Sequence, residues 1–105
     1  MPTPINQDQD QVLALGQRLQ DVLEGVFREV VDHPDDVTVR GVLNALQGEN
    51  RYNSRYSLTL EVRVHAGDIR QALGNAHSIQ KGVQSFLVAV RGKNRVPIEF
   101  DVKAH

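Results

Sequence analysis

Apolar residues recur at Val12, Leu15, Leu19, Val22, Leu23, Val26 and Val30. Spacings of mostly three and four put them on one side of a helix of about five turns, ending near Asp32. Pro34 stops that helix, because the residue before a proline avoids helical backbone angles. Val37 and Val39 then alternate with Thr38 and Arg40, the period of a strand. The stretch "LQGENRYNSR" is rich in Gly, Asn and Ser and predicts a turn. The clearest strand is "YSLTLEVRV": Leu58, Leu60, Val62 and Val64 point one way, and Ser57, Thr59, Glu61 and Arg63 the other.

The period then changes. "AGDIRQALG" predicts a short helix, with Asp68 near its start, where a carboxylate suits the helix dipole. After the corner "GNAH", Ile79, Val83, Phe86, Leu87 and Val90 form a second apolar stripe, with Ser78 as the expected N-cap. "RGKN" carries the glycine and cations that commonly end a helix. Val96, Ile98, Phe100 and Val102 alternate through a last strand, and Pro97 within it predicts an edge position or late pairing. The expected core is Leu19, Val22, Val26, Leu58, Leu60, Val62, Ile79, Val83, Leu87, Ile98 and Phe100. One apolar face per strand and one stripe per helix predict an α+β domain, a three-stranded sheet with helices packed on one face.

Composition narrows the class. The 105 residues suit one domain over 10–105, preceded by a loose, proline-bearing tail at 1–9. Without cysteine the chain has no disulfide, thiolate nucleophile or thiolate metal ligand. No apolar run reaches membrane-spanning length, and the polar N-terminus lacks a signal pattern, so a cytoplasmic protein is expected. Charge is unevenly shared. Residues 1–50 carry a net −6 and residues 51–105 a net +5, which makes the second half a candidate footprint for a polyanion.

The order helix, strand, strand, helix, corner, helix, strand resembles the type II KH domain, αββααβ. "VVDHPDDVTVR" followed by "LTLEVRV" is similar to the small bacterial KH-domain RNA-binding proteins (KhpA-like), matched at Val31, Pro34, Asp35, Val37, Val39 and Arg40. His33 stands where that pattern has asparagine. The resemblance runs from about Leu19 to Lys103. It implies single-stranded RNA held against a Gly-x-x-Gly corner between the paired helices, with bases on an apolar strip formed by the helices and a neighbouring strand. Such a corner clamps about four nucleotides of backbone.

The corner in this chain departs from that pattern. Gly74 matches the first glycine, Asn75 and Ala76 fill the middle without positive charge, His77 replaces the second glycine, and Ser78 stands where a basic residue is common. A glycine at position 77 is expected to cost the fold a little stability, since glycine gains more freedom on unfolding. The candidate nucleic-acid-binding residues are Arg70, Gly74, Asn75, Ala76, His77, Ser78 and Lys81, with a basic turn of Arg91, Lys93 and Arg95.

Catalysis is not expected. His33, His65, His77 and His105 form no metal-binding spacing with the carboxylates, and no G-x-S-x-G, P-loop or dinucleotide motif occurs, so neither catalytic residues, metal nor cofactor are assigned. The alternative function is a protein–protein module on a KH fold with a decayed loop, pairing with a second copy or with a larger KH-containing RNA-binding partner.

Overall fold

The computed structural model describes residues 9–47 and 50–105, so the expected tail lies almost wholly outside the described residues. Helix α1 (Gln9–Arg28) leads through a 3-10 turn at Pro34–Asp36 into strand β1 (Thr38–Ala45) and strand β2 (Tyr56–Val64). A second 3-10 turn (Ala66–Asp68), the short helix α2 (Ile69–Leu73), the corner Asn75–His77, helix α3 (Ser78–Asn94) and strand β3 (Ile98–Ala104) follow. This is the α+β fold with a KH-like αββααβ order.

Strand β2 is central. It pairs antiparallel with β1, Val39 facing Val62 and Gly41 facing Leu60, and parallel with β3, Leu58 facing Ile98 and Leu60 facing Phe100. Parallel neighbours need a long crossover, and α2 with α3 supply it. The alternation read in β2 is complete: Leu58, Leu60, Val62 and Val64 are all buried. β3 is an edge strand beginning one residue after Pro97, whose carbonyl accepts from the Leu58 N–H at 2.9 Å. A proline there removes no ladder donor.

Helix α1 buries Val12, Leu15, Leu19, Leu23 and Phe27 against the sheet. Gly16 sits on the same face, where a Cβ would lie 3.2 Å from Leu58 Cδ1, so the helix passes close to β2. Gln20 Nε2 donates to the Val39 carbonyl at 2.8 Å and ties the helix to β1.

Several sequence expectations shift. Val22 and Val26 are 44% and 38% exposed and do not belong to the buried core, and Phe86 is 41% exposed. The true stripe of α1 runs through Phe27, one residue past Val26, which turns Val22 and Val26 towards α3. Ile79 and Phe100 are half-buried and pack on the core margin. Helix α1 ends at Arg28 rather than near Asp32. Helix α3 runs through Gly92 to Asn94 and stops on Arg95 in a left-handed conformation, φ 57°, its N–H bonded to the Arg91 carbonyl. Ser78 is the first helical residue, not the cap.

Candidate nucleic-acid interface

The corner between α2 and α3 is built from unusual backbone. Gly74 has φ 85° and ψ 167°, a region essentially restricted to glycine. A Cβ there would lie 2.7 Å from the Ile79 nitrogen and 2.7 Å from Ser78 Oγ. Gly74 is thus required twice, by its torsions and by the close approach of α3. Its N–H closes α2 on the Arg70 carbonyl at 2.9 Å, and its carbonyl accepts from the His77 N–H at 3.0 Å. Ala76 (φ 53°) and His77 (φ 60°) are both left-handed. His77, at the N-cap of α3, makes no side-chain capping bond. Asn75, Ala76, His77 and Ser78 are exposed, and Arg70 and Lys81 stand exposed on the flanking helices.

The basic turn divides. Arg91, beside Gln84, Leu87 and Val88, faces Ile98, Glu99 and Phe100 across a groove of about 410 Å³ between α3 and β3. Arg95 joins Arg91 on that side of the molecule. Lys93 instead lines a groove with Gln11, Ala14 and Arg18 of α1. Two residues along a helix is a rotation of about 200°, which puts Lys93 opposite Arg91. The expected cluster is therefore the pair Arg91 and Arg95, and Lys93 is not part of it.

At the other end of α2, Asp68 is buried and does not cap the helix with its side chain. Its carboxylate accepts from the His33 backbone N–H at 2.9 Å and lies 3.0 Å from His33 Nδ1. The His65 ring stacks on His33 with centroids 3.9 Å apart and planes 17° from parallel, while His65 Nδ1 accepts from the Gly67 N–H at 3.0 Å. Burial acts to raise the Asp68 pKa. The backbone and side-chain hydrogen bonds from His33, together with the electrostatic influence of the His33 and His65 rings, more than offset it and hold the carboxyl below its ordinary value.

The ligand atoms of His33, His65 and Asp68 lie within 4.8 Å of one another, a grouping that residue spacing did not reveal. Near-parallel rings direct their nitrogen lone pairs side by side, whereas ligands of one tetrahedral ion must converge. Asp68 is already engaged by His33. The group is a latch joining the approach to β1 to the start of α2.

With α3 starting at the corner without a side-chain cap and a groove of mixed polar and apolar lining beside β3, the arrangement offers an anion a helix N-terminus and offers bases a half-apolar wall. It also has a likeness among known proteins. The chain is 25% identical over 84 residues to a protein named RNA-binding protein KhpA from Halalkalibacterium halodurans. The aligned stretch covers 80% of this chain and 97% of KhpA, so it spans nearly the whole of that protein. No family model matches the chain, and no solved structure matches it. No helix among the described residues is long and apolar enough to cross a membrane.

Two residues beside the candidate interface are not singled out by the sequence. Arg51 and Tyr52, in the β1–β2 loop, line a cavity of about 500 Å³ with Val88, Arg91, Gly92 and Arg95. The signal is present in "RYNSR", a tyrosine between arginines, within a stretch whose composition predicts only a turn.

Proposed function

We propose that the chain, as a single domain over 10–105, binds single-stranded RNA in the cytoplasm without catalysing a reaction. The observation that carries this reading is the Gly74 corner. It presents exposed backbone at the start of a 17-residue helix that has no side-chain cap from its N-cap residue. Free N–H groups and the helix dipole favour an anion there. Arg70, Gly74, Asn75, Ala76, His77, Ser78 and Lys81 form the phosphate contact, and Arg91 and Arg95 extend it. The KH-like fold and the likeness to an RNA-binding protein support it. His77 in place of a glycine, and no cation inside the loop, make that contact weak.

The experiment repairs the loop. Replacing Asn75-Ala76-His77 by Lys-Gln-Gly adds a cation and removes a Cβ from the path of the phosphate. One added phosphate contact steepens the dependence of log affinity on log salt by about 0.7. Affinity for a short single-stranded RNA, titrated at two salt concentrations, rises several-fold. A triple variant no better than a wild type that binds well places the RNA elsewhere on the chain.

A second reading, contact with another protein, is favoured by the groove between α1 and α3. Val22, Leu23, Val26, Ile79, Val83 and Phe86 line about 360 Å³ there with almost no polar surface. Failure of both proteins to bind RNA at low salt selects this reading over the first.

A further inference from the structure

Three histidines gather where β2 hands over to α2, and they use their ring nitrogens differently. A backbone N–H can only donate, so the bond from the Gly67 N–H at 3.0 Å makes His65 Nδ1 an acceptor. The His65 ring therefore carries its proton on Nε2 and is neutral. His33 is the reverse. Its Nδ1 lies 3.1 and 3.0 Å from the two oxygens of the Asp68 carboxylate, which only accepts, so Nδ1 is the donor there. His105 Nε2 lies 2.6 Å from the Asp36 carbonyl and is likewise a donor. A further proton fits on His33 or His105 with no bond lost. On His65 it must enter at Nδ1, where the acceptor becomes a donor facing a donor.

The His65 ring holds more than its own N–H contact. His65 caps the 3-10 turn Ala66–Asp68, and its carbonyl accepts from the Asp68 N–H at 2.8 Å. The ring sits so close over that turn that a Cβ on Gly67 would lie 3.3 Å from Nδ1. It also stacks on His33, which Asp68 holds from below the surface. Asp68 is the residue from which α2 departs, and α2 ends five residues later at Gly74. A helix this short has little rigidity of its own, so its orientation at the corner depends on how its first residue is held. The charged groups around the pair are few. Asp36 and His105 share a hollow with the His65 ring. Asp32 accepts from Gln71 at 2.9 Å, the Arg63 guanidinium lies 3.4 Å from the Ala104 carbonyl, and α2 adds Arg70, which is exposed. None of them supplies an acceptor to replace His65 Nδ1 at Gly67. With both stacked rings charged, repulsion across 3.9 Å adds to the lost bond.

We propose that His65 makes this latch proton-sensitive: acidification through the range in which imidazoles titrate puts a proton on Nδ1, opens the 65–67 turn, loosens α2 at Asp68 and weakens the hold of the Gly74 corner on single-stranded RNA. The last step rests on the RNA-binding reading above; the opening of the turn does not. The fold needs the neutral ring, so the latch is lost as pH falls and not as it rises. His65→Asn is the deciding variant, because its side-chain oxygen accepts from an N–H two residues on and has no proton to gain. His65→Ala removes the acceptor at every pH. The His33 amide proton, held by Asp68 Oδ2, reports on the latch through hydrogen exchange followed by NMR. From about pH 7.5 to about pH 5.5, corrected for intrinsic exchange, its protection falls several-fold in wild type, stays level in His65→Asn and is low throughout in His65→Ala. Affinity for a labelled single-stranded RNA at fixed salt falls by a similar factor in wild type relative to His65→Asn, a comparison that cancels any titration of His77, which both chains keep. Thermal unfolding at neutral pH confirms that each variant is folded. Wild type and His65→Asn losing protection in step overturns the proton-sensitive latch. A latch that opens with no divergence in RNA affinity between the two chains overturns its coupling to the corner. Absence of RNA binding by wild type at low salt overturns the RNA reading and that coupling together, while the exchange measurement still decides the latch.

Discussion

At its start α2 is fastened by a buried carboxylate; at its end the chain turns over three residues with positive φ. Asp68 accepts from the backbone N–H of His33 and lies within hydrogen-bond distance of its ring nitrogen. From six residues on, Gly74, Ala76 and His77 hold conformations that L-residues seldom adopt, and the helix that follows has no side-chain cap from His77. One end is closed, with its polar groups used up. The other lacks a side-chain cap and carries the backbone strain. Strain of this kind persists only where the surrounding fold imposes it, and it collects at binding sites. Had the corner been only a way to reverse the chain, a glycine at 77 and a capping serine would have served at lower cost.

The largest break in this contrast comes at Gly74. Gly74→Ala must put a Cβ within 2.7 Å of the Ile79 backbone nitrogen while holding φ near 85°. The torsional cost of about 1–2 kcal/mol adds to an overpacking cost of about 1–3 kcal/mol. Denaturant unfolding therefore shows a loss of about 2–5 kcal/mol. A loss below about 0.5 kcal/mol, as at an ordinary surface position, means that the corner is not built as described.

A smaller effect, separable by pH, comes at Asp68. Its folded pKa lies below the unfolded value, so its contribution to stability is present above the unfolded pKa, near 3.8, and is lost as pH falls through the folded pKa. Asp68→Asn keeps the shape, removes the charge and cannot lose this contribution to acid. At pH 7 the variant melts below wild type, and the gap narrows as the pH is taken from 4 towards 2. A gap independent of pH in that window shows that the carboxylate charge contributes nothing and that the latch is packing alone.

These two ends also differ in how far they were legible. The glycine corner announces itself locally, because both helices and the residues between them lie within one short stretch. The latch depends on His33 and Asp68, 35 positions apart, and nothing in either neighbourhood names the other. An acidic residue at a helix start was correctly located at Asp68 and given the wrong partner. The strands were read well because a period of two leaves each side chain only two choices, as Leu58 to Val64 illustrate. The helices were read less well. An apolar stripe about 100° wide cannot distinguish the face towards the sheet from the flank towards a second helix, so the periodicity counts Val22 and Val26 as core and passes over Phe27. Arg51 and Tyr52 were hidden differently: turn composition fixed the loop, while the cavity depends on where α3 ends, 40 residues later.

The smallest predicted effect is the one that reverses a sequence expectation. Considered as a loop residue, His77→Gly loosens the unfolded chain and costs about 0.4–1 kcal/mol. The backbone at His77 is left-handed, with φ 60°. An L-residue in that conformation gives up about 1–2 kcal/mol, somewhat less for histidine than for branched side chains, and glycine gives up almost none. The torsional relief exceeds the entropic loss, and His77→Gly is expected to stabilise the domain by about 0.5 kcal/mol. His77→Ala separates backbone from side chain, since alanine keeps the strain and discards the imidazole. Denaturant titrations of the three proteins therefore run His77→Gly above wild type, with His77→Ala at or slightly below it. If alanine and glycine stabilise alike, it is the imidazole rather than the torsion that burdens the corner, and the strain at position 77 is not what distinguishes the open end of α2 from the closed one.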